Sequence, residues 1–179
     1  DMAKTWFKFA GATVFPRRNG CGPESVLELL QKEDPWRVEL NWPEGFEGGI
    51  AHRLDIHTSG ALWIADSLDE LQQMRDRFEK GLLSKRYRLL ASKDVPWNHN
   101  QCRHDIAHDR RKKSKMVVRR GNNTPHRGRW YPAVTAFSRA HDRLWDVQME
   151  TGVMHQIRVH AAFLGIPILG DRQYGGGEP

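Results

Sequence analysis

His52-Arg-Leu-Asp55-Ile-His-Thr-Ser-Gly60 runs directly into Ala61-Leu-Trp-Ile-Ala65. The first stretch is polar and turn-like. The second is short, apolar and bounded by Ser-Gly before it and Asp-Ser after it, which predicts a buried strand. Ser67-Leu-Asp-Glu70 then has the spacing of a capping box, and Leu68, Leu71, Met74 and Phe78 recur on one helical face up to Gly81. Lys85 to Ala91 alternates, with Tyr87 and Leu89 on one face of a further strand. Upstream, Thr5 to Val14 reads as a strand and Pro16 to Gly22 as a turn. Pro23 suits the first position of a short helix carrying Val26, Leu27, Leu29 and Leu30. Residues 34–49 read as a Pro- and Gly-bearing loop.

Downstream, Ala133 to Ser138 and Leu144 to Glu150 read as two strands around the turn Ala140-His-Asp-Arg143. Thr151 is placed to cap a helix with a core stripe of Met154, Ile157, Ala161 and Leu164, which Gly165 and Pro167 end. On that helix His155 and Arg158 would project from neighbouring points. Strands interspersed with helices, without strict β-α-β alternation, predict an α+β fold with a largely antiparallel sheet in a single domain over residues 1–179.

The chain has 179 residues, of which 39% are hydrophobic and 28% charged, with seven Trp and seven Phe. That composition excludes a disordered or collagen-like chain. The most apolar stretch, Ala161 to Ile168, is broken by Gly165 and Pro167, so no transmembrane helix is expected. No charged segment followed by an apolar run opens the chain, and no secretory signal is expected. The chain begins Asp1-Met2, which fits a natural start further upstream. Two cysteines, Cys21 and Cys102, make no disulfide framework and point to a reducing cytoplasmic setting. Cys102-Gln-Arg-His104 with His108 lacks a second Cys pair or a His-Glu-x-x-His, so a metal site is not expected.

The formal net charge is +6, but it is unevenly spread. Residues 103–129 hold ten Lys/Arg, among them Arg110, Arg111, Lys112 and Lys113, against Asp105 and Asp109, a net +8 that leaves the rest at −2. Concentrated cationic charge of this kind attracts a polyanion, because each neutralised phosphate releases a condensed counterion. Without an amphipathic apolar face beside it, a membrane surface fits less well.

Three segments combine residues in unusual ways. In the first, Asp55 is a carboxylate at the entrance of the core, with Arg53, His57, Thr58 and Ser59 around it; an Asx-type turn on the Thr58 or Ser59 amide is the alternative reading. In the second, Lys85-Arg-Tyr87 opens a strand, with the Tyr ring either lining a pocket or making an ordinary cross-strand contact. The third is Thr151-Gly-Val-Met-His155-Gln-Ile-Arg158-Val-His160, followed by Gly165-Ile-Pro-Ile-Leu-Gly-Asp171-Arg-Gln-Tyr174-Gly175.

Read together, these blocks resemble the RluA-type family of RNA pseudouridine synthases. Its pattern is His-Arg-Leu-Asp-x-x-Thr-Ser-Gly, then Lys-x-Tyr, then Thr-Gly-Arg-x-His-Gln-Ile-Arg-x-His and Gly-x-Pro-Ile-x-Gly-Asp-x-x-Tyr-Gly. Trp6-Phe-Lys-Phe-Ala-Gly11 is similar to the family's Lys-Pro-Ala-Gly, and Lys115-Met-Val-Val118 to its strand after the central loop. The resemblance spans about residues 5–176 and implies a bent, mixed, largely antiparallel sheet flanked by helices, with an active-site cleft across it. It implies isomerisation of uridine to pseudouridine in RNA, ribosomal before transfer RNA, with no cofactor or metal; a monomer is expected separately, because no spare apolar stripe demands a partner.

The resemblance implies Asp55, Tyr87 and Arg158 as catalytic residues. Asp55 would be the essential carboxylate, nucleophile or base, kept ionised by the Arg158 guanidinium. Tyr87 would lie against the uracil, and Arg53 would fill the space of a flipped base. His52, Thr58 and His155 join Arg53 as substrate contacts, and Arg110, Arg111, Lys112 and Lys113 would hold phosphates. The chain departs from the pattern at Val153, where the family has Arg or Lys, at Ile56-His57 for Lys-Asp, and at Phe9 for Pro. Loss of the cation at Val153 predicts weaker RNA binding or an altered substrate. The competing reading is an RNA-binding or chaperone protein of the same fold without catalysis. A metal-dependent hydrolase built on His52, His57, His155 and His160 fits less well, since five-residue spacings do not put two imidazoles on one helical face.

Overall fold

The apolar run after residue 60 forms a strand, and its partner comes from the N-terminal segment. The computed structural model describes residues 4–18 and 20–178; Asp1-Met2, and Asn19 of the Pro16–Gly22 turn, lie outside the described residues. Lys4–Lys8 (β1) pairs antiparallel with Gly60–Ile64 (β2), from Lys4 opposite Ile64 to Lys8 opposite Gly60. β1 is shorter than the Thr5 to Val14 reading. Gly11 turns the chain at φ 91°, and its N–H donates to the Ile56 carbonyl (2.7 Å) instead of continuing the ladder. The chain folds as two compact units that divide after Leu82.

In the first unit, the helix Val26–Glu33 (α1) starts three residues later than Pro23 suggested. Ser25 caps it: its Oγ accepts from Glu28 N–H, and the Glu28 carboxylate accepts from Ser25 N–H (2.7 Å). The Ser25 N–H and hydroxyl, both donating to the Glu28 carboxylate, hold that carboxyl below its ordinary pKa. α1 buries Val26, Leu27 and Leu30 against Val14, Ile50, Leu62 and Ile64, while Leu29 faces solvent.

Residues 34–49 hold two short 3-10 turns, Pro35–Val38 and Glu47–Gly49, organised by Arg37. Its guanidinium is fully buried and donates to the carbonyls of Gly48 (2.9 Å) and Ala65 (2.6 Å) and to the carboxylates of Asp34 (3.0 Å) and Asp66. Gly49 sits at φ 84°, where a Cβ would meet the Ala65 carbonyl oxygen at 2.3 Å, so only glycine fits between these segments.

The helix Leu68–Glu79 (α2) follows β2 as predicted, with Ser67 Oγ accepting from Glu70 N–H. Glu70 returns to Asp66 N–H and not to Ser67, so the box closes one residue early. Leu71 and Met74 are buried against Ala51 and Ala65, but Leu68, at the helix start, points outward.

The second unit has two sheets and one helix. Lys85–Leu90 (β3), His99–Cys102 (β4), Ile106–His108 (β5), Met116–Val118 (β6), Arg127–Tyr131 (β7), Thr135–His141 (β8) and Leu144–Met149 (β9) precede Gln156–Phe163 (α3). The strands form a four-stranded sheet in the order β3-β9-β8-β4 and a three-stranded sheet in the order β6-β5-β7. The β8–β9 turn passes through Asp142 at φ 43°, a left-handed position that aspartate tolerates. Trp145, Phe137, Val147, Leu89 and Cys102 form the core with Ala161 of α3. The α+β class stands, and every pairing among the described residues is antiparallel.

Candidate active site

Asp55 lies in the loop that enters β2. A backbone bond from Thr58 N–H to the Asp55 carbonyl (3.0 Å) closes the turn, and the Asp55 side chain is exposed to solvent, not buried at the core entrance. The loop is held from beneath by Lys8, at the end of β1 and only 1% exposed. Lys8 Nζ donates to the carbonyls of Phe9 (3.1 Å), Ile56 (3.0 Å) and Thr58 (2.7 Å). Burial pushes the Lys8 ammonium pKa down, and the charge of Asp55 opposes that shift. All three donors of the ammonium are therefore used to fix the backbone on both sides of Asp55.

His52 is half-buried and its Nε2 accepts from Trp63 N–H (3.1 Å), while the ring tilts against Phe78. Its role here is to fasten the loop to β2. Arg53 is exposed, with its guanidinium 5.5 Å over the Phe15 ring. Thr58 contributes its carbonyl to Lys8.

Tyr87 and Arg158 belong to the second unit. Tyr87, opposite Val147 on β3, packs half-buried against the core around Leu89 and Trp145. Lys85 reaches over Gly152, where a Cβ would come within 3.0 Å of Nζ, and burial lowers its pKa.

The third sequence block separates into buried and open halves. Thr151 does not cap α3. Its Oγ accepts from Val134 N–H (3.0 Å) and donates to Gln156 Oε1 (2.9 Å). The N-cap is His155, at φ 54°, so His155 precedes the helix. Of the apolar stripe read from the sequence, Ala161 is buried and Ile157 and Leu164 pack against the same core, whereas Met154 is exposed; Gln156, Val159 and His160 are buried as well. Gln156 Nε2 donates to the Val134 carbonyl and to Thr135 Oγ1, and its Oε1 also accepts from Val153 N–H. Thr135 Oγ1 donates to His160 Nδ1 (2.8 Å), and His160 Nε2 donates to the His104 carbonyl (2.9 Å). Every polar atom of Gln156 and His160 is thus paired in the interior, as burial requires.

Desolvation lowers the His160 pKa below its ordinary value of 6.5. The unfolded chain then binds this proton more readily than the folded one, so stability is full above about pH 6.5 and falls as pH drops towards the lowered folded value. The urea midpoint of the parent should decline from pH 6.5 to 5.5, and His160→Gln should remove that part of the decline. An identical slope in the variant would overturn the assignment.

The open half of the block meets the Gly170–Gly175 turn. Arg158 donates from Nε to Asp171 Oδ2 (2.7 Å), from Nη2 to Asp171 Oδ1 (3.0 Å) and from Nη2 to Gln173 Oε1 (3.0 Å), and lies 4.8 Å over the Tyr174 ring. The Tyr174 hydroxyl accepts from Met116 N–H and donates to His155 Nδ1 (2.8 Å). Asp171 and Tyr174 thus orient Arg158 and His155. The structure brings Lys8, Asp55, Ile56 and Thr58 together in one unit, and His155, Arg158, Asp171 and Tyr174 in the other. Val153 packs half-buried against Ile106, Met116, Val118, Ala133 and Val159, an apolar lodging in place of the family's cation.

Arg110, Arg111, Lys112 and Lys113 stand exposed on the β5–β6 hairpin loop. Asp109 shapes that loop: its carboxylate accepts from Arg111 N–H and Lys112 N–H (2.8 Å each), which holds its pKa below the usual range. A groove of about 610 Å³ lies beside the loop, lined by Lys115, Arg120, Phe163, Gln173 and Tyr174 among others.

Comparison with known proteins covers most of the chain. Residues 21–163 match a family model described as RNA pseudouridylate synthase. The chain is 34% identical over 131 residues to the RNA pseudouridine synthase 2, chloroplastic, of Oryza sativa subsp. japonica, covering 72% of this chain and 29% of that protein. It is 36% identical over 133 residues to the uncharacterized RNA pseudouridine synthase YhcT of Bacillus subtilis, covering 71% and 41%. It is 30% identical over 141 residues to the ribosomal large subunit pseudouridine synthase C of Rickettsia prowazekii, covering 78% and 45%. The chain thus spans less than half the length of these relatives. Among solved structures, human RNA pseudouridylate synthase domain containing 1 superimposes with a TM-score of 0.68 at 21% identity, over 94% of this chain and 66% of that one, which shows the shared fold.

Proposed function

The chain belongs to the RNA pseudouridylate synthase family, and on that premise we propose that it isomerises uridine to pseudouridine within structured RNA. The N1–C1′ bond of uridine breaks, the uracil turns and a C5–C1′ bond forms; C5 gives up its hydrogen and N1 gains one, so the product is an isomer. The observation that carries the reading is the matched loop in which Asp55 is exposed while Lys8 grips the backbone on both sides of it. The backbone that carries this surface carboxylate is thereby fixed, as a group that must meet a ribose requires. Asp55 is the essential carboxylate, acting on the sugar as nucleophile or base. Tyr87 lies against the uracil ring, Arg158 supplies a charge that does not vary with pH, and Arg53, His52 and Thr58 of the first block and His155 of the third serve the RNA.

Ribosomal RNA is the proposed substrate, ahead of transfer RNA; the name of the Rickettsia relative supports that order. We propose a cytoplasmic setting on the cysteine content of the sequence, and a monomer because no spare apolar stripe in the sequence demands a partner. The test is release of tritium from RNA labelled at C5 of uracil and taken from cells lacking this protein. Release establishes the isomerisation, and none from any RNA class, with binding intact, leaves a non-catalytic RNA-binding protein.

The exposed hairpin loop supports phosphate contact. Replacing Arg110, Arg111, Lys112 and Lys113 together with Gln should weaken RNA binding. It should also flatten the slope of log K against log salt by about 3 if all four face phosphates. An unchanged slope would mean that the loop faces elsewhere.

A further inference from the structure

Phe7 and Phe9 stand bare beside the Asp55 loop. They are 57% and 72% exposed, and their rings meet edge to face with centroids 5.3 Å apart. Single exposed apolar residues are ordinary; a paired aromatic surface fastened to a reactive loop is not. The fastening is Lys8, which lies between the two rings in sequence and points inward, donating to the carbonyls of Phe9 and Ile56 at once. Gly11 N–H donates to the same Ile56 carbonyl. Ile56, itself exposed, is the residue after Asp55. Phe7 stands opposite Ala61, too small to cover its ring. Phe9 and Ile56-His57 are two of the three places where the chain departs from the family pattern, and the structure ties Phe9 and Ile56 to one ammonium. In place of proline and a Lys-Asp pair, this chain presents apolar surface.

We infer that Phe7 and Phe9 form a stacking platform for an unpaired base of the substrate RNA next to the reacting uridine, and so set which sequence context is accepted. The inference rests on the pseudouridine synthase reading. A uridine that leaves its stack exposes the faces of its neighbours, and aromatic rings beside Asp55 replace the lost stacking. An aromatic platform touches no phosphate, so its contribution is independent of salt, unlike that of the Arg110–Lys113 loop. A protein segment would also cover two aromatic rings, but the tie to the Asp55 loop puts them where a nucleotide must enter.

The test uses the 179-residue chain and a fluorescein-labelled RNA hairpin whose loop holds one uridine flanked by adenosines, with or without an abasic residue at either flank. Phe9→Ala and the abasic substitution should each weaken binding about 5- to 150-fold, and together no more than either alone, with the salt slope unchanged. Phe9→Pro should behave as Phe9→Ala does. Additive losses or no loss overturn the platform, as does a parent that binds neither hairpin. A lowered urea midpoint for Phe7→Ala and Phe9→Ala with RNA affinity unmoved assigns the rings to packing and also overturns it. Tritium release separates the two ideas. A parent that releases tritium but shows additive losses keeps its activity and loses the platform; one that shows the coupling but releases none keeps the platform and loses the activity.

Discussion

Asp55→Asn is expected to abolish tritium release, by more than about 100-fold, while RNA affinity stays within about threefold of the parent. The substitution keeps the shape of the side chain and removes only its charge and basicity. Asp55 is exposed, and its loop is fixed through backbone carbonyls gripped by Lys8, which the substitution leaves in place. An unchanged urea midpoint should accompany the loss of activity, since surface substitutions shift stability by only about 0.5 kcal/mol. Residual turnover within tenfold of the parent would contradict the role given to Asp55. Loss of both binding and stability would show that the residue holds the loop and does not attack the sugar.

The largest effect on stability is expected from Arg37→Met. Methionine replaces the aliphatic stem, but it lacks the guanidinium and donates no hydrogen bond. The buried carbonyls of Gly48 and Ala65 would lose their donor, and Asp34 and Asp66 a cation. Orphaning two buried acceptors costs about 1–3 kcal/mol each, and loss of the charge partner adds to that. A total of about 3–5 kcal/mol is a large part of the ~5–15 kcal/mol that keeps a typical domain folded. The urea midpoint should therefore fall steeply, and the unit that carries Asp55 should become sensitive to protease. Arg37→Lys should recover little, because an ammonium cannot span the planar fork that reaches two carbonyls and two carboxylates. A midpoint within experimental error of the parent would show that the 34–49 segment stands without its buried guanidinium.

Much of the fold is legible in local pattern. β2 and β3 follow from alternation and from their flanking residues, and α2 from the Ser67 cap and the Leu71–Met74–Phe78 spacing. The readings that moved did so for identifiable reasons. Pro23 suits a helix start, but Ser25 and Glu28 form a reciprocal cap two residues on, and two bonds outweigh one preset φ. Leu68 has the helical spacing of the α2 stripe but occupies the first turn, where the core has not yet begun. The α3 stripe holds at Ile157, Ala161 and Leu164 and fails at Met154, which precedes the helix, while the buried polar Gln156 and His160 escape a reading that expects only apolar residues inside.

The candidate site shows the same division. Asp55, Tyr87 and Arg158 were found through contiguous blocks, each of which is a local string. Lys8 stands within Trp6-Phe-Lys-Phe-Ala-Gly11, but its role exists only where the Phe9, Ile56 and Thr58 carbonyls converge. Asp171 and Tyr174 were likewise visible as letters, while their grip on Arg158 and His155 arises from the turn folding back against α3.

By itself, then, the sequence determined the α+β class, the order of β1, α1, β2, α2, β3, β8, β9 and α3, the place of the concentrated positive charge and the family blocks, all of which depend on residues near one another in the chain, whereas the short strands β4, β5 and β7 carry no such local pattern. Only the tertiary structure decided which polar side chains lie inside. Lys8, Arg37, Gln156 and His160 are all buried, and nothing in their neighbours along the chain distinguishes them from the exposed lysines and arginines of the Arg110–Lys113 loop. The reason is physical. A polar group leaves water without a large penalty only where several acceptors or donors meet it, and those partners come from segments distant in the sequence.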